Sequence, residues 1–270
     1  MGAVFRKHPT QEQPVPKAQV STAHPAQGFD PRHFGARCLV WCRADAGVDR
    51  NGSTVSGWRD MSGRGRDFSQ ATASEQPTFA SRGLGGRPEL TFDGSDDHLD
   101  GASFFGMVSA ADDWMVVVVV RDWTWGDNVQ LYYARGVLGT ASGGVTRSNV
   151  GVTSEAGAGL GFGCWNAVDG HVQAYGDDSH AQGTSAVMVG VCSGGSLTMR
   201  VNGGAGSTVS GTTGLHSSAT TLQLGQGNNN VNPWDGAVSE VLIFDGVLRQ
   251  SELGSLEDYL SHRYSIRMGH

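Results

Sequence analysis

From residue 37 onward, short runs of apolar side chains alternate with links that are rich in Gly, Asn and Asp. In the segment RPELTFDG, Leu90 and Phe92 alternate with polar positions and are followed by Asp93-Gly94, a turn signal. A side chain at every second position faces the same side of a strand, so this segment predicts a strand with Leu90 and Phe92 facing inward.

The most apolar segment is DWMVVVVVRDW (113–123), which lacks helix caps and predicts a short strand buried on both faces. The segment 185–204 predicts a hairpin, because apolar positions alternate on both sides of Ser193-Gly194-Gly195. Residues 45–68 form a turn-rich excursion. Further strands are predicted in RCLVWCRA (37–44), VQLYYARGV (129–137), GVTRSNVGVT (144–153), LGFGCWNAV (160–168), HVQAYGDD (171–178), TTLQLGQG (220–227) and AVSEVLIFDGVL (237–248). Many short strands with regular turn signals predict an all-β sandwich of two antiparallel sheets.

A short helix is predicted only at the C-terminal end of the sequence. In LRQSELGSLEDYLSHRY (248–264), Leu253, Leu256, Leu260 and Tyr264 recur at spacings of three and four residues and form one apolar stripe. Ser251 is the expected N-cap, with Glu252 placed favourably near the positive end of the helix dipole.

The first 36 residues differ from the rest, since they hold five of the eight prolines and show no apolar periodicity. Such a segment cannot bury enough apolar surface to order itself. We therefore divide the chain into an extended N-terminal arm (1–36) and one domain (37–270), and expect the arm to contact neighbouring subunits. The residues expected to make these assembly contacts are Phe5, Arg6, Pro14, Pro16 and Phe29.

Composition excludes several classes of partner. A net charge of −7 argues against a nucleic-acid backbone, which requires a basic face. The longest apolar run, WMVVVVV (114–120), is far shorter than the ~20 residues of a membrane-spanning helix, so no membrane insertion is expected. No apolar segment typical of a secretion signal follows Arg6 and Lys7, and we expect a soluble protein.

The four cysteines are predicted to be small buried hydrophobic residues, with cross-strand or intersubunit disulfides as the alternative. Cys38 and Cys42 lie on one strand about 13 Å apart, too far for a bond between them. The spacing of Cys164 and Cys192 matches no zinc motif, and no cofactor other than calcium is expected.

The order of these segments resembles the LamG-like jelly rolls of the concanavalin A-like lectin/glucanase superfamily. The stretches that carry the resemblance are LVWCRADAG, VSGWRDMSGRGRDFSQ, RPELTFDGSDDHLDG, SLTMRVNGG, LQLGQG and WDGAVSEVLIFDGVLRQSELGSLEDYLSHRYSI. The resemblance covers roughly residues 37–266 and implies a jelly-roll sandwich with one concave face. Members of this superfamily bind sugars, proteins or calcium, hydrolyse glycans, or serve as display modules on larger assemblies such as phage virions.

Catalysis is not predicted. The glucanases of the superfamily use a Glu-x-Asp pattern on one strand, and this sequence contains no Glu-x-Asp. Glu240 is the best isolated carboxylate on a strand, but Asp245 falls on the opposite face. The sequence has no G-x-S-x-G motif, and His98 is expected to be a solvated loop residue.

Two interpretations remain open for the aspartates of DGSDDHLDG. Asp and Asn favour turns because they bond their own backbone, and this is the favoured interpretation. The alternative is a calcium site, since calcium prefers carboxylate and carbonyl oxygens. The residues proposed to bind calcium are Asp93, Asp96 and Asp97, with Asp100 close in sequence.

A ligand surface is expected where Trp side chains adjoin Asn and Asp donors and acceptors, by analogy with sugar-binding relatives. The candidate residues are Trp123, Trp125, Asn228, Asn229, Asn230, Trp234 and Asp235. Together these features predict a non-catalytic structural or binding subunit of a larger assembly, such as a phage virion decoration, collar or tail protein located in the virion. Its expected partners are other protein subunits, including copies of itself, and surface glycans. A carbohydrate-binding lectin module is the alternative, and a glycoside hydrolase is a distant third.

Overall fold

A computed structural model describes most of the domain. The described residues are 29–103, 107, 113–121, 123–124, 135–141, 150–155, 159–165, 171–176, 183–210, 221–226 and 233–269. Four of the five arm residues expected to make assembly contacts, Phe5, Arg6, Pro14 and Pro16, lie outside them.

The described chain contains seventeen strands and one α-helix. The strands are β1 (Cys38–Arg43), β2 (Val48–Asn51), β3 (Thr54–Trp58), β4 (Phe68–Ser69), β5 (Thr78–Ala80), β6 (Glu89–Asp93), β7 (Leu99–Asp100), β8 (Trp114–Arg121), β9 (Arg135–Ala141), β10 (Val150–Glu155), β11 (Gly159–Trp165), β12 (His171–Tyr175), β13 (Ser185–Ser193), β14 (Ser196–Val201), β15 (Gly204–Ser210), β16 (Thr221–Leu224) and β17 (Asp235–Asp245). The helix is α1 (Gln250–Tyr264), and a 3-10 helix at Pro31–Arg37 precedes β1.

Strand β17 lies inside the first sheet and is paired along both of its edges. One of its edges pairs antiparallel with β8, and the sheet continues from β8 to β13, from β13 to β14 and from β14 to β15. Its other edge pairs first with β6, from Asp235 to Val238, and then with β1, from Glu240 onward. A register shift between Val238 and Glu240 separates these two pairings.

The second sheet runs from β2 through β3, β4, β7, β16, β9, β10 and β11 to β12. Strand β5 joins the two sheets, because it pairs with β3 and with β6. All of these pairings are antiparallel, so the predicted two-sheet antiparallel jelly roll with a short C-terminal helix is confirmed.

The core lies between the two sheets. Leu90, Phe92 and Leu99 are buried there with Trp58, Trp114 and many aliphatic side chains. The predicted inward alternation of β6 is therefore confirmed. Strand β8 is buried at every position from Trp114 to Val120, as the sequence predicts for a strand covered on both faces.

The outer face of the first sheet carries a second apolar layer under α1. Leu253, Leu256, Leu260 and Tyr264 are all buried against it, which confirms the predicted stripe. The N-terminus of α1 differs from the prediction. Arg249 is the N-cap instead of Ser251, and the Glu252 carboxylate accepts the Arg249 N–H at 2.8 Å.

Several strands were missed or begin later than predicted. The turn-rich excursion contains the hairpin of β2 and β3, whose polar positions lack an apolar alternation, and β15 follows β14 with only Ser, Thr, Ala, Val and Gly. The strands predicted at 129–137 and 144–153 are observed from residues 135 and 150 onward, and the parts before those residues lie outside the described chain.

The described end of the predicted arm packs on the domain itself. The Phe29 ring stacks on Tyr259 at 5.0 Å between centroids, and Phe34 meets Phe244 edge-on at 5.5 Å. Arg37 donates to both carboxylate oxygens of Glu252. These intramolecular contacts, which involve Phe29 itself, place residues 29–37 on the outer layer beside α1.

Cys38, Cys42 and Cys192 are buried free thiols. Burial raises the pKa of the Cys38 thiol to about 12, and the pKa of Cys42 lies well above its ordinary value for the same reason. These three residues therefore behave as buried hydrophobic side chains, the role predicted for them. In the described chain no helix is both long and apolar enough to cross a membrane.

Glu240 joins the first sheet to α1 through a buried hydrogen-bond network. Its carboxylate is fully buried and accepts Trp41 Nε1–H at 2.7 Å and the hydroxyls of Tyr264 and Tyr259 at 2.7 and 3.2 Å. Arg263 Nε lies 3.6 Å away. Burial raises the pKa of Glu240, and the hydrogen bonds from Tyr264 and Trp41 oppose that rise. The carboxylate that was the best isolated catalytic candidate is thus a structural anchor.

Replacing Glu240 tests this anchor. Glu240→Ala leaves the Trp41 indole N–H and the Tyr259 hydroxyl without this acceptor, and Tyr264 keeps only the Ser239 carbonyl at 3.4 Å. Each buried donor left unsatisfied costs about 1–3 kcal/mol. We expect a decrease of about 3 kcal/mol or more in the free energy of unfolding in urea, and a smaller decrease for Glu240→Gln, which keeps one carbonyl acceptor. Glu75→Ala, on the surface of a 3-10 helix, is the matched control. Equal midpoints for Glu240→Ala and the control would contradict the proposed anchor.

Candidate functional site

The aspartate-rich segment forms a tight turn between β6 and β7. Gly94 has a φ of 73°, in the left-handed region that favours glycine, and its N–H donates to the carbonyl of Trp234 at 3.0 Å. The Asp93 carboxylate accepts the N–H of Ser95 at 2.8 Å. Asp97 Oδ2 accepts the Asp93 N–H at 3.0 Å, so the turn is closed from both ends.

Three carboxylates meet on this turn, and we call Asp93, Asp96 and Asp97 the acidic turn. One oxygen from each lies within 4.8 Å of the other two. Asp93 and Asp96 are exposed, whereas Asp97 is buried. Asp100 is engaged elsewhere, because its carboxylate accepts Gln223 Nε2–H at 2.8 Å. The structure therefore brings together the three aspartates proposed as calcium ligands and separates the fourth.

Burial dominates the electrostatics of the acidic turn. Removal from water raises the pKa of the Asp97 carboxyl to about 6, and the charges of Asp93 and Asp96 add to this rise. The N–H of Asp93 opposes it by stabilising the charged form. A bound cation would oppose this rise in the pKa of Asp97, since it would favour the ionised form of all three carboxylates.

Buried amide and imidazole groups support the turn from below. His98 Nδ1 lies 2.9 Å from the carbonyl of Asp96, and Gln70 Nε2 lies 2.8 Å from His98 Nε2. Gln226 Nε2 donates to the same Asp96 carbonyl at 3.3 Å. His98 is buried, so its expected place in a solvated loop was wrong, because Gln70 and the turn enclose it.

The donor set matches the chemistry of calcium in part. Calcium takes six to eight oxygen ligands, and the acidic turn offers three carboxylates. Gln226 Oε1 is buried and has no hydrogen-bond partner within the described part of the chain, so a further neutral oxygen lies on a residue that already contacts the turn. The remaining ligands would be water or backbone carbonyls.

The start of β17 borders the acidic turn. Asp235 pairs with Asp93 across the sheet, and its carboxylate accepts the Thr124 hydroxyl at 2.8 Å. Trp234 N–H donates to the carbonyl of Gly225 at 2.8 Å, which joins the end of β16 to the same place. Two residue sets that are far apart in the sequence, the predicted calcium ligands and part of the predicted ligand surface, therefore adjoin.

The two described tryptophans of the predicted ligand surface are core residues. Trp123 and Trp234 are each 0% exposed, so neither ring offers a face on which a sugar can stack. This corrects the expected stacking role, because both side chains belong to the core between the sheets. A Cβ at Gly236 would lie 2.8 Å from Trp123 Cα and 3.0 Å from Trp234 Nε1. Trp125, Asn228, Asn229 and Asn230 lie outside the described residues.

Sequence reasoning missed the residues that complete this region. Gln226 and Gln70 are buried beside the turn, but no spacing or composition signal distinguishes them from surface glutamines. It also missed that two glutamates are buried in ion pairs. Glu89 is held by Arg121, and Glu257 lies 3.3 Å from Arg200. Together with Glu240 in its hydrogen-bond network, Glu89 and Glu257 stabilise the fold.

Comparison with known families supports this architecture. Residues 133–254, just under half of the chain, match the Laminin_G_3 family model, described as the concanavalin A-like lectin/glucanases superfamily. Together with the two-sheet sandwich, the match confirms the resemblance to LamG-like jelly rolls that the sequence motifs predict. Curated protein sequences give no match to this chain.

Solved structures with the same fold come from several proteins. The binding domain of Paraclostridial Mosquitocidal Protein 1 matches with a TM-score of 0.56 at 10% identity, covering 82% of this chain and 52% of that one. The botulinum neurotoxin serotype G binding domain matches at 0.58 and 13% identity, with 82% and 50% covered. Trypanosoma rangeli sialidase matches at 0.54 and 13% identity, with 84% and 32% covered. The chain thus spans about half of the toxin domains and a third of the sialidase, and the likeness is one of fold.

The pKa of Asp97 predicts a pH-dependent stability. Because the folded state raises this pKa from 3.8 to about 6, it favours the protonated carboxyl. The resulting stabilisation is complete below about pH 3.8 and is lost as the pH rises through about 6. Asp97→Asn removes this dependence. Its free energy of unfolding relative to the unmodified protein should therefore rise by about 2 kcal/mol between pH 4 and pH 7, measured in EDTA.

Asp245→Asn, at the exposed end of β17, serves as the control and should track the unmodified protein across this range. Parallel pH profiles for Asp97→Asn and the unmodified protein would contradict the burial argument.

Proposed function

We propose that this chain is a non-catalytic structural or binding subunit of a larger assembly, such as a phage virion, and that it displays a lectin-like jelly roll. The observation that carries the proposal is the distance along β17 between the point where the arm enters the domain and the acidic turn. The root of the arm lies at Cys38, which pairs with Phe244, and the acidic turn lies at Asp93, which pairs with Asp235. Nine residues of extended strand separate the two places by about 30 Å.

This separation suits a displayed module. The chain enters the domain at one end of β17, where Phe29 and Phe34 fix residues 29–37 to the outer layer. The loops at the other end are then held away from whatever residues 1–28 contact. The same packing limits which part of the arm can contact a neighbouring subunit, because residues 29–37 pack on their own domain. The assembly contacts are accordingly proposed for residues 1–28, including Phe5, Arg6, Pro14 and Pro16.

The burial and pairing of three glutamates favour binding over hydrolysis. Glycan hydrolysis requires two carboxylates placed on either side of the scissile bond. Glu89, Glu240 and Glu257 are almost fully enclosed and engaged by arginine, tyrosine or tryptophan donors. The structures with a similar fold include the binding domain of Paraclostridial Mosquitocidal Protein 1, a botulinum neurotoxin receptor binding domain and a sialidase, so the fold accommodates both classes.

A lectin module is the second candidate, and the acidic turn is the observation that favours it. Three carboxylates beside Asp235 form an edge at which a calcium ion would present coordination positions to ligand hydroxyls. The sequence between Gln226 and Pro233 contains Asn228, Asn229 and Asn230, and we propose these residues as further amide donors and acceptors for the ligand.

Removal of residues 1–28 tests the assembly function. The truncated protein keeps Phe29 and Phe34, so we expect an unchanged melting temperature and loss of the oligomers that the full chain forms, measured by light scattering. The matched control is the full chain with Phe34→Ala, which should melt earlier and still assemble. Retention of full assembly by the truncated protein, or a full chain that is monomeric at every concentration, would contradict the proposal.

Calcium titration tests the acidic turn. We expect calcium to raise the melting temperature, and Asp96→Asn, at an exposed position of the turn, to weaken calcium affinity about tenfold or more in calorimetry. Asp245→Asn should leave the affinity unchanged. Equal heats for all three proteins would show that the aspartates serve the turn alone.

A glycan array probed with and without calcium tests the lectin function. Binding that requires calcium and is lost in Asp96→Asn would support the second candidate. Binding unaffected by EDTA would place the sugar away from the acidic turn, and a complete lack of binding would contradict the lectin function.

A further inference from the structure

A cleft of about 510 Å³ opens on the outer face of the first sheet, beside residues 29–37. It is lined by Phe29, Asp30, Arg32, Trp41, Arg43 and Met61. Its volume is within the range of small-molecule sites. Trp41 pairs with Leu242 on β17, seven residues from Asp235, so about 23 Å of strand separates the cleft from the acidic turn. The cleft is therefore a second and independent feature.

The floor of the cleft is rigid. The Trp41 N–H donates to Asp60 Oδ1 at 3.0 Å, and its carbonyl accepts the Met61 N–H at 2.7 Å. Its indole Nε1–H donates to Glu240 Oε1 at 2.7 Å. Three hydrogen bonds thus fix both the backbone and the ring of one residue, and a ligand would bind without ordering the floor.

Two guanidinium groups contact the same indole. The Arg43 guanidinium carbon lies 5.1 Å from the Trp41 ring centroid, and that of Arg32 lies 5.8 Å away. Both distances fall within the range of cation–π contacts, which hold the planar groups in place. The cleft therefore carries positive charge directly beside an apolar surface.

The acidic groups nearby only partly balance this charge. Asp30 is committed to Arg32, whose Nε lies 2.9 Å from both carboxylate oxygens. Asp45 lies 2.8 Å from Arg43 Nε, but Arg87 at 3.6 Å and Arg263 share it. Beyond the cleft lining, Asp60 accepts the Trp41 N–H, and Glu240 is buried near Arg263. Of the six residues that line the cleft, two are arginines and one is an aspartate, and this positive surplus in a chain of net charge −7 favours an anionic ligand.

The other wall of the cleft is apolar. The Phe29 ring stacks on Tyr259 at 5.0 Å, which supports it from behind, and the half-buried Met61 side chain also lines the cleft. A ligand that satisfies both parts of the cleft needs a charged group for the arginines and an apolar body for Phe29 and Met61.

We propose that this cleft binds a carboxylate carried on an apolar or ring-shaped body, with the carboxylate beside Arg43 and Arg32 and the body against Phe29 and Met61. Guanidinium and carboxylate groups match in shape and charge, which makes arginine the usual partner of a carboxylate. A peptide C-terminus with an aromatic last residue and a sugar acid both carry this chemistry. The site requires neither the arm contacts nor calcium.

Binding of two matched probes to the full chain tests the proposal. Phenylacetate and phenylacetamide differ in charge and have nearly the same shape, so the acid should bind at least about tenfold more tightly in a titration followed by NMR. N-acetylphenylalanine and glucuronate then distinguish the two sources, and the tighter acid identifies the source. Equal affinities for phenylacetate and phenylacetamide, or no saturable shift with any acid, would overturn the proposal.

Variants locate the binding. Arg43→Gln and Met61→Trp should each weaken phenylacetate binding about tenfold, the first by removing charge and the second by filling the cleft. Arg32→Gln, at an exposed position, gives a variant whose folding is less at risk, and it should weaken binding severalfold. The matched control is Arg50→Gln, since Arg50 lies 4.6 Å from the Phe79 ring in a similar pair outside the cleft. Losses of equal size in Arg50→Gln would overturn the assignment to this cleft.

Discussion

The hydrogen bonding of β17 is the constraint on which the rest of the structure depends. Along its eleven residues one edge pairs with β8, while the other pairs with β6 and then with β1. Buried backbone N–H and C=O groups must be hydrogen-bonded, since an unpaired group costs free energy of folding. Because a single strand satisfies three neighbours, it fixes where the acidic turn, the arm root and the cleft lie relative to one another.

The outer layer of the first sheet depends on the same strand. Glu240 points from β17 away from the sandwich core and receives donors from Trp41 on β1 and from Tyr259 and Tyr264 on α1. A buried carboxyl is stable only where hydrogen-bond donors surround it, so these bonds fix the position of α1 relative to the first sheet. Phe29 packs on Tyr259 of the same helix, and the cleft floor is Trp41 itself. The anchor therefore also builds the proposed carboxylate site.

The two proposed sites follow different physical rules. The acidic turn concentrates negative charge on a short backbone segment, and burial of Asp97 makes that charge unfavourable without a cation or a proton. The cleft places two arginines beside the Trp41 ring, and its lining holds only one aspartate against them. A module with a cation site at one end and an anion site near the other can contact two kinds of partner at once.

Local periodicity and turn chemistry are readable along the chain, and they predict the strands with clear alternation, the fully apolar β8, the helical stripe of α1 and the turn at Asp93. The sequence also identified the three aspartates that meet. The burial of Trp123 and Trp234 in the core, the enclosure of His98 and the anchoring role of Glu240 depend on the folded packing. Burial depends on neighbours that are distant along the chain, and no local pattern encodes which of them arrive. For the same reason the cleft, whose residues come from three separate segments, is invisible in the sequence.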